Sequence, residues 1–512
     1  MSPDQPMTIG RGIRCAAARV GAKPAIVCDD ETLDYRRLLE RMARVANLGL
    51  GHLGLVTGDR VALIAPNCLP YVELVAGLSD IGVIVATLSP RLTRAELGAI
   101  LDDCTPRAIV VHPRAIEAID PAWAADVPVV VLGDKYEALL GQASDTPPRV
   151  AVAETDPFAL AYTSGTTGRP KGVLLPHRSR AITFMAMAAE YRCFGADDHF
   201  LALAPMCHGA GFVFACAALF FGGTTSLFPA NDPVAMLDRI GQRDISGVFM
   251  VPTQFARLFD LPQAELDRRR THRLTSIISN AAALPQAMKL RAIDQFGEGL
   301  LHETYGSTEG GIVTNIRPPE HRAHPGSVGR PFPGVEIELR NDSGGRCAPG
   351  EPGELFSRSP TSFAGYWQLP DETALAVDDG WVTVGDIATR DADGFVTIVD
   401  RKKDMVVTGG LNVYPREIEN VIAALGGVAD VAVVGRSDPQ WGETLHAFVV
   451  ARRGEAVDPA AITVGCRDRL AAYKVPRAIS VVDELPRNAS GKVLKAALRD
   501  MAADLASAPA SG

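Results

Sequence analysis

No two of the nine cysteines in this 512-residue chain are spaced as CxxC, and their number is odd. That pattern fits reduced, non-catalytic thiols better than a disulfide framework or a zinc site. Basic charge is also short: 51 Lys and Arg stand against 60 Asp and Glu, a formal net charge of -9 with pI ≈ 5.7. That balance argues against nucleic acid as the main partner. The one basic cluster, Arg268-Arg269-Arg270 with His272 and Arg273, reads first as a solvated loop after a helix and second as a docking patch for a phosphorylated ligand. No apolar run is long enough for a bilayer, since the longest, Gly209 to Gly223, falls short of the roughly 20 residues required. The polar, Pro-containing start and the short Cys15–Val20 run lack the apolar core of a signal peptide. No internal repeat occurs, and only the last residues are Ala/Ser-rich. A cytoplasmic protein without a transmembrane segment is expected, and a homodimer is compatible with this composition.

Hydrophobic residues at 47% and charged residues at 22% are the proportions of a folded globular chain, and the length implies several subdomains. Short β-branched runs alternate with helical periodicities. Strand-like Ala25–Val27, Arg60–Ile64, Val83–Leu88 and Ala108–Val111 are separated by helices carrying Tyr35 to Ala46, near 68–81 and near 93–103. A second series comes after them, with helices at 179–191, 211–220, 233–242, 253–259 and 285–296 and strands at 200–204, 224–228, 248–251 and 275–279. Such alternation predicts α/β architecture with βαβ units and two mostly parallel sheets. From about 326 to 400 the texture becomes Gly/Pro-punctuated and predicts an all-β, barrel-like subdomain. After Asp400 helix and strand return, giving domains of 1–400 and 401–512.

The segment Ala161 to Gly172, AYTSGTTGRPKG, concentrates small, hydroxyl and amide groups after the apolar Phe158-Ala159-Leu160. It fails the P-loop template: Pro170 stands before Lys171 where a Gly would be needed, and Gly172 stands after it where a Mg²⁺-ligating hydroxyl would be needed. What survives is a loop between strand-like 157–163 and 172–175, able to wrap phosphate oxygens.

Four further stretches bear on chemistry. TYGSTEG, Thr304 to Gly310, comes after strand-like Leu300-Leu301, at the sheet end where open α/β folds bind ligands. Its Tyr305 offers a flat ring and its Glu309 a hard oxygen ligand. TVGDIATRD puts Asp386 in a turn between strands, with Arg401 fifteen positions on to add donors. DRKKDMVVTGG joins a charged pivot to the Gly409-Gly410 turn, and LPRNASGKVLK places Lys492 after a polar turn. Taken singly, a lone Asp such as Asp386 is usually a turn former and a lone Lys such as Lys492 is usually solvent-exposed.

In this order, TSGTTGRPKG, YGSTEG, Gly385-Asp386, DRKKD and PRNASGKV closely resemble the adenylate-forming superfamily of acyl- and aryl-CoA synthetases, peptide-synthetase adenylation domains and beetle luciferases. The resemblance spans roughly residues 20 to 500. It implies a large N-terminal domain and a small, mobile α+β C-terminal domain, with ATP, Mg²⁺ and coenzyme A as cofactors. A carboxylate would attack the α-phosphate, release pyrophosphate and form an acyl-AMP, which a thiol then attacks. The implied ATP site comprises Thr163, Ser164, Gly165, Thr166, Thr167, Gly168, Lys171, Ala281, Ala282, Thr304, Tyr305, Gly306, Ser307, Thr308, Asp386, Arg401 and Lys492. Mg²⁺ would rest on Thr167 and Glu309, and catalysis on Lys492, His208 and Glu309. The C-terminal domain would rotate about Lys403, so that Lys492 serves adenylation and Gly409-Gly410 lines the pantetheine tunnel.

The small-molecule acid is narrowed by an absence after APMCHGAGFVF: the Asp that holds an amino-acid ammonium in peptide-synthetase domains is missing. His208, Phe212, Val213, Phe214, Met250, Asn280, Ala281, Ala282, Gly306 and Ile312 are expected around an apolar acyl pocket. No Arg precedes Tyr305, so the resemblance implies a fatty or aromatic monocarboxylic acid, and Asn280 stands where many relatives have Gly. An acyl-AMP ligase loading a carrier-protein phosphopantetheine would share every motif, but usually carries an insertion before the hinge that is missing here. A non-catalytic nucleotide-binding relative would be expected to have lost Lys492 or Glu309, and both remain.

Overall fold

The computed structural model describes residues 6–163, 170–228, 232–242, 244–487 and 493–507. They form two compact units, one of Met1–Ile337 with Ser357–Val384 and one of Glu338–Phe356 with Gly385–Gly512. The compact division therefore differs from the sequence boundary at 400/401. Residues 385–400 belong with the C-terminal segment because strand Trp381–Arg390 folds back on Val396–Arg401 as a hairpin, Arg390 opposite Val396.

In the first unit, strands Pro157–Thr163, Ile84–Leu88, Arg60–Ile64, Ala108–Val111 and Val129–Val131 lie parallel in that order. Lys171–Pro176 and then Gly365–Tyr366 add antiparallel strands beside Pro157–Thr163. A second sheet has the parallel core Leu301–Ser307, Ser276–Ser279, Gly247–Met250, His199–Ala202, Thr224–Leu227, Pro24–Cys28. Antiparallel strands close its two edges. The central strands are buried at nearly every position, so they read as continuous apolar runs and not as alternating patterns.

Helix Gly209–Phe221 reaches both sheets. Ten of its thirteen residues are buried, Phe212 lies 5.9 Å from Phe158 of one sheet, and Phe214 stacks at 4.3 Å on Phe249 of the other. A helix apolar on all sides needs apolar cover on all sides, and burying each Phe contributes about 1.5–3 kcal/mol. Among the described residues no helix is long and apolar enough to cross a membrane.

Helix Ile9–Val20 lies outside the sequence reading. It buries Ile9, Ile13, Ala16 and Ala17, a helical stripe interrupted by Arg and Gly, and starts at the N-cap Thr8, whose side chain accepts from Arg11 N–H. The segment 326–400 is not all-β, because Pro370–Ala376 is a helix opened by Pro at its first position. The basic cluster is spent on neighbours: Arg268 and Arg269 pair with Glu265, Arg269 also with Asp238, and Arg270 with Asp267. All nine cysteines are free thiols.

The second unit is built on strands Leu411–Val413, Val406–Thr408, Gly442–Ala451 and Val428–Asp438, with Ala478–Val481 parallel to Gly442–Ala451. Alternation sorts its two faces. Val433 and Val449 pack on helices Pro415–Ala423 and Pro459–Arg467, whereas Ala432, Val434 and Phe448 pack on Leu498 and Ala502 of helix Lys495–Ser507.

Candidate active site

The glycine-rich segment leaves strand Pro157–Thr163 and returns as Lys171–Pro176, with Thr163 opposite Lys171. Ser164, Gly165, Thr166, Thr167 and Gly168 lie outside the described residues. The Lys171 ammonium is paired with Glu372 and lies 5.0 Å from the centre of the Tyr366 ring. Such a cation over a ring face is worth roughly 0.5–2 kcal/mol.

Tyr366 also serves the other motif. Its hydroxyl donates to Glu309 Oε1 at 2.8 Å, and Phe363 N–H donates to the Glu309 carbonyl at 2.8 Å. Lys171 and Glu309, far apart in sequence, therefore share one aromatic side chain. Burial, reinforced by the Glu309 charge, raises the Tyr366 pKa, so the phenol stays a donor. Glu309 is 7% exposed. Among the described residues no three His, Cys, Asp or Glu side chains gather as a metal cage. A Mg²⁺ that arrives with phosphate oxygens needs only one or two carboxylates, so an oriented Glu309 fits that ion.

The motif itself is a hairpin. Thr304, Tyr305, Gly306 and Ser307 lie within strand Leu301–Ser307, which turns through Thr308 to Gly310 into Gly311–Ile316. Pairing shifts between Tyr305 and Gly306, and a Cβ on Gly306 would come within 2.1 Å of the Gly311 carbonyl oxygen, which explains the glycine. Ile312 is buried opposite Gly306. Asn280, after strand Ser276–Ser279, donates through Nδ2 to Thr304 Oγ1 and accepts from Ala281 N–H. Ala281 adopts φ 76°, a left-handed conformation unusual for Ala, and both Ala281 and Ala282 are exposed. Behind them, Leu284 N–H donates to Glu303 Oε1 at 2.8 Å, and Glu303 is paired with the buried Lys289.

His208 occupies the N-cap position of helix Gly209–Phe221. A Cβ on Gly209 would lie 4.0 Å from Thr308 Oγ1, so this helix start adjoins the Thr304–Gly310 hairpin. Burial and then the nearby Arg91 charge lower the His208 pKa, which favours the neutral imidazole. Phe212 and Val213 are buried on this helix. Met250 is not on that side: it packs with Leu201, Leu203, Phe255 and Leu284 in a core cluster, while its neighbour Phe249 meets Phe214. The period of two along a strand sends adjacent side chains to opposite faces, and Phe249 is the residue turned toward the helix.

In the second unit, Asp386 and Arg401 are directly opposed, with Arg401 Nε 3.0 Å from Asp386 Oδ1. Asp386 lies inside strand Trp381–Arg390 and not in a turn; Gly385, at φ 76°, supplies the local twist that reads as a turn in the sequence. Lys403 falls in the single 3₁₀ turn Lys402–Asp404, where its carbonyl accepts from Arg499 at 3.3 Å and Asp404 pairs with Arg499 at 2.6 Å. Burial lowers the Lys403 pKa. Gly409 and Gly410, at φ 58° and 79°, form the turn between strands Val406–Thr408 and Leu411–Val413. Lys492 lies outside the described residues.

Sequence reasoning misses Tyr366 and Glu372. In FAGYWQLPDE the only signal is a Tyr beside a Gly; what brings it between Lys171 and Glu309 is an antiparallel pairing with Val173 that only the fold provides.

Comparison with known proteins identifies the family. The AMP-binding enzyme family matches residues 13–367, and the AMP-binding enzyme C-terminal domain matches 417–492. A feruloyl-CoA synthase of Amycolatopsis sp is 36% identical, covering 91% of this chain and 93% of the relative. The fatty acid–[acyl-carrier-protein] ligase ScoC of Streptomyces coeruleorubidus is 34% identical, covering 93% of each. The crystal structure of ATP-bound MatB from Rhodopseudomonas palustris superposes with a TM-score of 0.90 at 32% identity, covering 98% of this chain and all of that one. With this match over most of its length, the chain belongs to the AMP-binding enzyme family, the acyl-CoA synthetase branch of the adenylate-forming superfamily.

Proposed function

We propose that the protein is an AMP-forming acid–thiol ligase that joins a fatty or aromatic monocarboxylic acid to coenzyme A. In the first step a carboxylate oxygen bonds to the α-phosphorus of ATP and the bond to pyrophosphate breaks. In the second the thiol sulfur bonds to the acyl carbon, AMP leaves and the thiol proton is released. The observation that carries this reading is the meeting of Lys171 and Glu309 at Tyr366, which joins the glycine-rich hairpin to the Thr304–Gly310 hairpin.

Charge accumulates on the α-phosphate and the leaving pyrophosphate, so catalysis depends on positioned cations and donors more than on proton transfer. Lys171, with residues 163–168, holds the β- and γ-phosphates; Tyr305, with Ala281 and Ala282, flanks the adenine; Asp386 and Arg401 take the ribose hydroxyls. A Mg²⁺ ion bound at Glu309 and Thr167 would supply countercharge to the phosphates. Lys492 neutralises charge in adenylation only. Neutral His208, with Phe212, Val213, Asn280, Gly306 and Ile312, borders the acyl chain. Rotation about Lys403, which exchanges Lys492 for Gly409-Gly410 between half-reactions, belongs to the same proposal, as do a homodimer and a cytoplasmic location.

The ScoC relative, which by its name acts on a carrier protein, supports a second acceptor, a phosphopantetheine on such a protein. One assay addresses both readings: pyrophosphate release over fatty, benzoic and cinnamic acids, with no thiol, with CoA, or with a phosphopantetheinylated carrier. Acid-dependent pyrophosphate and AMP with a CoA thioester are expected. ADP as product overturns the reaction, and thioester only on the carrier overturns CoA as acceptor.

A further inference from the structure

Arg180 lies in the first turn of helix His177–Tyr191 and is only 3% exposed. The part-buried Arg41, by contrast, engages Glu73 and Glu137. Among the described residues Arg180 has neither an ion pair nor a hydrogen bond, and burial alone pulls its pKa down to about 10, which leaves it charged at neutral pH. An uncompensated buried charge costs several kcal/mol, so a guanidinium in this setting calls for an anion.

The space beside it matches that need. Arg180 lines a small cavity with Val75, Thr87, Phe158, Gly209 and Phe212. None of its lining residues carries a carboxylate. Gly209 opens helix Gly209–Phe221, so one positive helix end adds to the guanidinium charge. The centre of a water-sized particle has about 10 Å³ in which to lie, room for one small ion. A water in that space leaves the charge, whereas a monatomic anion fits it and compensates the guanidinium.

We propose that this cavity is a halide site in which one chloride-sized anion rests against the Arg180 guanidinium beside the start of helix Gly209–Phe221. The ion compensates the buried cation and fixes the root of the helix that presents Phe212. No substrate is required, so the site is testable whatever acid the enzyme activates.

The full-length protein is melted in sodium chloride, sodium bromide and sodium gluconate at equal ionic strength, about 300 mM. A ligand that binds only the folded state raises the melting temperature, here by about 2 °C or more in either halide over gluconate. Arg180→Met should lose that difference and, in gluconate, melt at or above wild type, since its buried charge is gone. Equal melting of wild type in all three salts overturns the proposal, as does a halide effect that persists in Arg180→Met. Should that variant not fold, bromide-soaked wild-type crystals decide: an anomalous peak in contact with the Arg180 guanidinium supports the site, and its absence there overturns it.

Discussion

Gly410→Leu should separate the two half-reactions. Gly410 has φ 79° and no heavy atom within 4 Å of where its Cβ would stand. A Leu held in that left-handed conformation costs about 1–2 kcal/mol, a tolerable fraction of the roughly 5–15 kcal/mol that stabilises a folded domain. The side chain enters open space, so the unit stays folded and the functional effect reports on what passes there. If that is the pantetheine arm, displacing it by an ångström costs about 10²-fold. Acyl-CoA formation should fall by at least that factor, while acid-dependent ATP–pyrophosphate exchange stays within about threefold of wild type. Gly409→Leu is the contrasting control. Its Cβ would come within 2.9 Å of the Trp441 ring, which is held under Arg477, so this variant should lose melting temperature as well as activity. Normal thioester formation by Gly410→Leu, or equal loss of both half-reactions in a folded variant, would refute the reasoning.

Lys492→Ala should slow adenylation by about 10²- to 10³-fold, as for loss of one oriented donor, yet leave thioester formation from supplied acyl-AMP intact; equal loss in both steps contradicts the assigned roles. Tyr366→Phe removes the donor that orients Glu309, a charge-assisted bond worth about 1.5–3 kcal/mol, so the Mg²⁺ concentration for half-maximal pyrophosphate exchange should rise about tenfold; an unchanged requirement would detach Glu309 from the metal. Phe212→Ala should shift relative rates across an acid chain-length series, whereas Met250→Ala should lower stability by about 2–5 kcal/mol, as a core truncation does, without shifting them. Acid should weaken the fold through its buried histidines: burial depresses His177 and His302 from 6.5 to about 4. Their contribution is complete above pH 6.5 and lost as pH falls toward 4, because the unfolded chain takes up the protons. Since His177 Nδ1 accepts from Ile9 N–H, protonation also releases the start of helix Ile9–Val20. A melting temperature flat from pH 7 to 4 would exclude this.

The sequence is informative where chemistry is local. Strands Arg60–Ile64 and Ala108–Val111 are legible to the residue because each is a short apolar run bounded by turns. Helix Ile9–Val20 escapes because Gly and Ala fill four of its six buried positions, and Gly12 is required there because a Cβ would overlap the Phe220 ring. The face of Met250 depends on which neighbour the strand turns toward the helix, a choice that alternation alone leaves open. Asp386 and Arg401 pair as the sequence suggests but for a different local reason, since cross-strand opposition and not a turn unites them. Tyr366 is hidden because its partners come from two distant segments, strand Lys171–Pro176 and Glu309, and no window of sequence contains them together.

Helix Gly209–Phe221 meets one sheet through Phe212 and the other through Phe214, and this restricts how acid preference can be altered. An enlarged side chain at 212 or 213 has no solvent into which to expand, so beyond the small cavity at Phe212 its extra volume must be taken from the acyl pocket or from a strand on one side or the other. Specificity in this scaffold should therefore change through matched pairs, a gain on the helix with a loss on Phe158 or Phe249. Single-site libraries along 209–221 should recover mostly destabilised proteins, and two-site libraries that couple the helix to either strand should recover new acids.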